Sequence, residues 1–121
     1  NKLLAFHNSH NCLASVTAVR PPSRFGELTI DENETVLELE ERPQMGKGLI
    51  NGGFFVLEPN VFDYLASDED SFEDRPLMEL AKNGQLNAYR HHGFWQAMDT
   101  LREKEYLENL WNQNNAPWKV W

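Results

Sequence analysis

Short runs of apolar and β-branched residues alternate along the chain with polar turns and with segments whose apolar residues recur at helical spacing. The short apolar, β-branched runs predict strands, and apolar residues spaced three and four positions apart predict helices. The predicted helices cover residues 2–10, 60–66, 76–81 and 101–111, and the predicted strands cover residues 14–19, 27–30, 35–39, 54–57 and 86–91.

The order of these elements predicts the fold class. An acidic turn at residues 31–34 separates the second and third strands, which therefore form a β-hairpin. The other strands are separated by helices, which is typical of a layered α/β domain. We therefore expect an α/β fold with a mixed sheet, a β-hairpin and flanking helices. A chain of 121 residues is long enough for about one domain, so residues 1–121 are predicted to form a single domain.

Two adjacent glycines, Gly52 and Gly53, stand at the head of the most apolar strand, directly after Asn51. Glycine inside a strand weakens it by roughly 0.5–1 kcal/mol relative to alanine, so a pair of glycines needs a reason. One reason is the close approach of a ligand or of another backbone. The other is a β-bulge or a tight start of the strand, and the residues alone favour neither.

The loop before these glycines carries an acid and a base, Glu41 and Arg42, followed by a rigid proline. A carboxylate can accept hydrogen bonds from two neighbouring sugar hydroxyls, and a cation can bind a phosphate. The side-chain amide of Asn51 can bind a further hydroxyl. This mixture suits a sugar phosphate. The alternative for Glu41 and Arg42 is a surface ion pair worth about 0–1 kcal/mol.

Charge and composition restrict the possible partners. The net charge of -8 argues against nucleic acid, which binds to basic surfaces. No apolar run approaches the roughly 20 residues that span a bilayer, so no membrane partner is expected. The single Cys12 fits a reducing compartment, and a cytoplasmic location is predicted. The chain begins with Asn1 rather than Met, which favours a piece cut from a longer protein.

Several stretches together resemble the glucose-1-phosphate cytidylyltransferases, which are sugar-phosphate nucleotidylyltransferases. The resemblance covers nearly the whole chain in order and spacing. It rests on PPSRFG at residues 21–26, ERP at residues 41–43, INGGFFV at residues 50–56, GFWQAMDTLR at residues 93–102 and APWKVW at residues 116–121. It implies a partial nucleotide-diphospho-sugar transferase (Rossmann-like) fold. It also implies the synthesis of CDP-glucose and pyrophosphate from CTP and glucose 1-phosphate, with magnesium as the cofactor.

The resemblance also assigns roles to residues. Asp99 matches a metal-binding aspartate, although Thr100 and Glu103 behind it fit a helix capping box that explains an acid there equally well. Arg42 stands where the family normally has lysine, so the exact sugar is left open. Trp95 lies in the segment at the pocket edge, and a core tryptophan is the alternative. The implied substrate-binding residues are Gly26, Glu41, Arg42, Asn51, Gly52 and Trp95.

The resemblance places this chain in the C-terminal half of the complete enzyme, without the glycine-rich loop that binds the nucleotide. The isolated piece is expected to be inactive alone, and to self-associate or be marginally stable because its strands keep exposed edges. A homo-oligomer is predicted for the complete enzyme. Two alternatives remain: a nucleotidylyltransferase with another base or sugar, and a non-catalytic module for sugar-phosphate binding or oligomerisation.

Overall fold

The structure is a computed structural model that describes residues 1–22, 27–40 and 48–121. These residues group into two compact units. Residues 1–19 and 51–91 make up unit 1, and the described parts of 20–50 and 92–121 make up unit 2. The helices are α1 (Lys2–Asn8), a 3-10 helix (Pro59–Tyr64), α2 (Arg75–Lys82) and α3 (Leu101–Asn112), and the strands are β1 (Ala14–Val19), β2 (Glu27–Ile30), β3 (Val36–Glu40), β4 (Ile50–Leu57) and β5 (Leu86–Arg90).

Strands β4, β1 and β5 form a three-stranded sheet in that spatial order. Strands β1 and β5 are parallel, with Ala14 opposite Leu86. The N–H of Glu58, just after β4, donates to the carbonyl oxygen of Leu13, just before β1, over 2.8 Å. The end of β4 thus lies beside the start of β1, so β4 is antiparallel to β1. The α/β class with a mixed sheet is confirmed.

Strand β1 is the central strand and is buried on both faces, including the small polar Ser15 and Thr17. Ala14, Ala18 and Val19 are buried, as is typical of a strand covered on both sides. The core cluster consists of Ala14, Val61 of the 3-10 helix and Leu80 of α2. Half-buried apolar side chains surround this cluster, so the 3-10 helix and α2 pack their apolar sides against β1.

Strands β2 and β3 of unit 2 pair in antiparallel fashion and confirm the predicted hairpin. The carboxylate of Asp31 accepts hydrogen bonds from the backbone N–H groups of Asn33 and Thr35 at 2.8 and 2.9 Å. An aspartate that accepts from the backbone two residues onward favours a turn, which explains why the acidic segment ends one strand and starts the next.

Helix α3 begins with the capping box that the sequence predicts. The N–H of Glu103 donates to the Thr100 hydroxyl over 3.2 Å, and the Glu103 carboxylate accepts from the N–H of Thr100. The apolar stripe of α3 is less buried than its spacing suggests, since Leu107 and Leu110 are half-buried while Tyr106 and Trp111 are exposed.

Two predicted elements differ from the structure by more than one or two terminal residues or in their type. Strand β4 begins at Ile50 rather than at residue 54, because the glycines are part of the strand instead of preceding it. The predicted helix over residues 60–66 is a 3-10 helix over Pro59–Tyr64. A single short turn after a proline does not develop the longer α-helical pattern, and 3-10 geometry is common in such connections.

Candidate functional site

The carboxyl ends of the parallel strands β1 and β5 lie at one edge of the sheet. Val19 and Arg90 end these strands, and the N–H of His91 donates to the carbonyl oxygen of Ala18 over 2.9 Å. Strand β4 runs the other way, so Asn51 lies at the same edge. Ligands of α/β sheets bind preferentially at this edge. The edge is therefore the candidate site of unit 1, and we call it the carboxyl edge.

Gly52 is in β4 because β1 leaves no room for a side chain. A Cβ atom on Gly52 would lie 3.0 Å from the carbonyl oxygen of Thr17 and 3.0 Å from Cγ1 of Val19. Gly53 has another reason, since its φ of +84° lies in the left-handed region that side chains disfavour. Of the alternatives that the sequence leaves open, the close approach of another backbone therefore explains Gly52.

The side chain of Asn51 has a determined orientation. Its Oδ1 accepts a hydrogen bond from the backbone N–H of Gly53 over 2.8 Å. Its Nδ2 therefore points the other way and donates to Oε1 of Glu73 over 3.5 Å. Both side chains are exposed, so the carboxyl edge presents an amide donor next to a carboxylate acceptor.

Sequence reasoning missed Glu73. This residue belongs to the acidic run at residues 68–74, which predicts only a solvated surface. No local pattern distinguishes Glu73 from the other acids of the run. Only the folding of the chain brings its carboxylate to Asn51, 22 positions earlier.

A histidine, a serine and a glutamate meet at the opposite edge of the sheet. Nδ1 of His7 lies 2.8 Å from Oγ of Ser15, and Nε2 of His7 lies 2.9 Å from Oε1 of Glu58. These residue types also occur in nucleophilic catalysis. Here Ser15 is completely buried and His7 is 3% exposed, so no substrate can reach the hydroxyl. The contacts instead hold α1 against β1 and the end of β4.

Asp99 precedes α3 in unit 2, and its backbone N–H donates to the Glu103 carboxylate over 2.7 Å. Its own side chain is exposed. Within the described residues, no three His, Cys, Asp or Glu side chains are grouped closely enough to hold a metal ion. One carboxylate is nevertheless compatible with Mg²⁺, which is often bound through one or two carboxylates, substrate phosphates and waters. Asp99 therefore offers a single ligand of the right chemistry rather than a complete site.

The remaining predicted site residues are distributed as follows. Trp95 is half-buried in unit 2, next to an aromatic contact between Phe94 and Trp118 with ring centroids 5.7 Å apart. Gly26, Glu41 and Arg42 lie outside the described residues. The resemblance also implies that Glu41, Gly52 and Asp99 line one pocket for a phosphorylated hexose, and this stays a prediction.

A depression of about 410 Å³ is lined by residues between Phe62 and Asp70, at the end of the 3-10 helix and in the segment that follows it. One of its lining residues is Asp70, whose carboxylate accepts from the N–H of Ala66 and from Arg75. The hydrogen bond from Ala66 and the neighbouring guanidinium hold the pKa of Asp70 below its ordinary value. This carboxylate is occupied in joining the loop to α2, so the depression is a weak candidate for binding.

The part of the chain that the structure describes contains no helix with the length and apolar character needed to cross a bilayer.

The chain is similar in sequence to known nucleotidyltransferases. The family model described as "Nucleotidyl transferase" matches residues 1–106. The glucose-1-phosphate cytidylyltransferase of Salmonella typhi is 50% identical over 116 residues, which are 96% of this chain and 45% of that protein. The probable glucose-1-phosphate cytidylyltransferase of Bacillus subtilis (strain 168) is 44% identical over 120 residues, 98% of this chain and 46% of that protein. The chain thus spans about half the length of these curated relatives.

The fold is also similar to solved structures. A putative glucose-1-phosphate thymidylyltransferase from Bacillus anthracis, solved with a sucrose, superposes with a TM-score of 0.56 and 19% identity. That match covers 88% of this chain and 46% of the other. At this identity the likeness concerns the fold alone, and it confirms the partial nucleotidyltransferase-type fold that the resemblance implies.

Proposed function

The chain belongs to the nucleotidyl transferase family, and from this premise we propose that it is the sugar-phosphate-binding and assembly half of a glucose-1-phosphate cytidylyltransferase. The complete enzyme would join CTP and glucose 1-phosphate into CDP-glucose and pyrophosphate. The observation that carries the proposal is the high identity to the Salmonella typhi cytidylyltransferase over nearly the whole of this chain. Residues 1–121 would act as one domain, without the half that binds the nucleotide.

In the proposed reaction, a phosphate oxygen of glucose 1-phosphate attacks the α-phosphorus of CTP. The new bond joins the two phosphates, and pyrophosphate leaves with the electron pair of the broken bond. The protein contributes mainly by positioning the reactants and stabilising charge on the phosphoryl oxygens. Asp99 would hold Mg²⁺, which supplies positive charge to those oxygens.

The sugar phosphate would bind at the carboxyl edge of unit 1. Asn51 offers an exposed side-chain amide there, and the lack of a side chain lets Gly52 pack closely on β1 and keep the corner narrow. We propose that Glu41 accepts from sugar hydroxyls and that Arg42 binds the phosphate. Gly26 would approach the sugar with its backbone, and Trp95 would border the pocket.

Arg42 favours one alternative within the same class. A guanidinium is flat and forked, whereas the lysine usual at this position is a compact charge, so the change alters the geometry of phosphate binding. A different sugar, or a different base chosen by the other half, is therefore the second candidate. A non-catalytic module for sugar-phosphate binding or oligomerisation is the third.

The partners of the complete enzyme would be CTP, glucose 1-phosphate and further copies of the same chain. The free thiol of Cys12 fits a cytoplasmic, reducing environment.

Turnover of the full-length protein tests this proposal. We expect product with glucose 1-phosphate and CTP but not with the other three nucleoside triphosphates, and no turnover by residues 1–121 alone. Asp99→Asn should lower kcat by about 10²–10³, the usual loss on removing one electrostatic contributor, while the circular dichroism spectrum stays unchanged. Product formation by the 121-residue chain alone, or an unchanged kcat in Asp99→Asn, would contradict the proposal.

A further inference from the structure

We propose that Asn51 and Glu73 form a paired sugar-hydroxyl site, in which one hydroxyl of the bound hexose accepts from Asn51 and donates to Glu73. This inference rests on the proposed function, because it concerns the same sugar-phosphate pocket. It adds Glu73 as a residue that contacts the substrate. Both residues belong to unit 1, so their geometry stands within one compact body.

The first step is the fixed polarity of Asn51. Its Oδ1 is engaged by the N–H of Gly53 at 2.8 Å, so the amide cannot be flipped without losing that bond. The outward group is consequently Nδ2, which can only donate. A ligand that meets Asn51 at this edge must offer an acceptor.

The second step is the acceptor beside this donor. Oε1 of Glu73 lies 3.5 Å from Nδ2 of Asn51, which is longer than the roughly 2.7–3.2 Å of most N–H···O hydrogen bonds and makes this a weak contact. A hydroxyl group carries one donor and two acceptor positions, so it can accept from the amide and donate to the carboxylate at the same time. An ionised phosphate oxygen cannot do so, because it has no hydrogen to donate and would stand as a second acceptor next to the carboxylate of Glu73. The pair therefore selects a hydroxyl rather than an anionic group.

The third step concerns strength. The contact between Asn51 and Glu73 is long and both side chains are exposed. Replacing it with two shorter hydrogen bonds to a ligand therefore costs little free energy. Hydrogen bonds that involve a charged partner are shorter and about twice as strong as neutral ones. Glu73 would thus contribute more to binding than Asn51 alone.

The test uses the full-length protein and measures both turnover and the Kd for glucose 1-phosphate by calorimetry. Glu73→Gln keeps the size but removes the charge, and we expect a rise of about fivefold in the Kd and in the KM for glucose 1-phosphate. The KM for CTP should remain unchanged. Glu69→Gln is the matched control, because Glu69 is an exposed acid in the same loop, and it should leave both constants unchanged.

Asn51→Asp sharpens the test. A carboxylate at this position can still accept from the N–H of Gly53, so the local turn is kept while the donor is lost. We expect the Kd for glucose 1-phosphate to rise about tenfold or more, because two carboxylates then face each other.

The double variant Asn51→Asp with Glu73→Gln restores one donor and one acceptor with reversed polarity. Independent effects would multiply to about fiftyfold. A shared hydroxyl predicts instead that the double variant binds glucose 1-phosphate better than Asn51→Asp alone. Multiplicative losses, or an unchanged Kd in Glu73→Gln, would overturn the paired site.

The Kd separates this inference from the proposed function. If the full-length protein binds glucose 1-phosphate and the variants follow the expected order, the paired site stands even when no CDP-glucose is made. If wild-type turnover is present and Glu73→Gln changes nothing, the proposed function stands and the paired site fails. A wild-type protein that does not bind glucose 1-phosphate refutes the paired site directly.

Discussion

Replacing Gly52 with alanine should destabilise the protein through a steric conflict with β1. The added Cβ would lie 3.0 Å from the carbonyl oxygen of Thr17 and 3.0 Å from Cγ1 of Val19. Both separations are shorter than ordinary van der Waals contact, so the neighbouring atoms must move by a few tenths of an ångström. The Thr17 oxygen is backbone of the central strand and can move only if the sheet moves.

Two opposing effects set the expected magnitude. Overpacking of a well-packed region costs about 1–3 kcal/mol. Alanine also restricts the unfolded chain, which stabilises the native state by about 0.4–1 kcal/mol. For Gly52→Ala we therefore expect a net loss of about 1–2 kcal/mol in the free energy of unfolding.

The neighbouring Gly53 provides the matched control. Its position has open space within 4 Å of a Cβ atom, but its φ of +84° is left-handed. Asparagine tolerates this conformation better than other residues. Gly53→Asn should therefore cost little, whereas Gly52→Asn should cost more than Gly52→Ala because the larger side chain meets the same strand.

Urea unfolding, followed by tryptophan fluorescence and by far-UV circular dichroism, measures these differences for the three variants and the wild type. Coincidence of the two signals checks that the transition is two-state. Two results would refute the reasoning. One is a Gly52→Ala protein as stable as the wild type, and the other is an equal cost of asparagine at the two positions.

Three further predictions concern contacts outside the carboxyl edge. His7→Phe should lower the free energy of unfolding by about 1–3 kcal/mol, because the buried hydroxyl of Ser15 loses its hydrogen-bond partner. An unchanged Tm in thermal unfolding would disprove this. Thr100→Ala should lower the free energy of unfolding by about 1 kcal/mol, because it removes the N-cap hydroxyl that binds the N–H of Glu103. Thr100→Ser keeps this hydroxyl and should keep the stability, so equal Tm values for the two variants would count against the cap. The pKa of Asp70 is held low in the folded state, so its stabilisation is present above the ordinary carboxyl pKa and is lost as the pH falls towards the lower folded value. Asp70→Asn should therefore lower the free energy of unfolding at neutral pH and converge with the wild type in acid. A difference that persists in acid would exclude the negative charge of Asp70, which the Ala66 N–H and Arg75 stabilise, as its source.

Much of the secondary structure follows from local patterns. The run at residues 14–19 is strand β1 with the predicted bounds, because small apolar and β-branched residues are typical of a strand that is covered on both faces. The capping box before α3 could also be predicted from the sequence, since its two residues are three positions apart and need no tertiary contact.

The sequence predicts only part of the candidate site. The Asn51-Gly52-Gly53 sequence marks a special position on any fold, and its place at the carboxyl edge agrees with that reading. The structure adds a packing reason for Gly52, because β1 occupies the place of its missing side chain. Local sequence could not reveal this, because Thr17 and Val19 belong to a distant strand.

By itself, the sequence determined most of the helices and strands and the hairpin, since these depend on residue types within a few positions of each other. It also determined the family resemblance, which depends on short motifs that follow one another in a fixed order along the chain. Only the tertiary structure decided which strands are neighbours, and with that the contacts at both edges of the sheet. His7 meets Glu58 across 51 positions, and Asn51 meets Glu73 across 22. Partners this far apart are selected by sheet order and by the burial of the core, which are properties of the whole fold rather than of any local pattern.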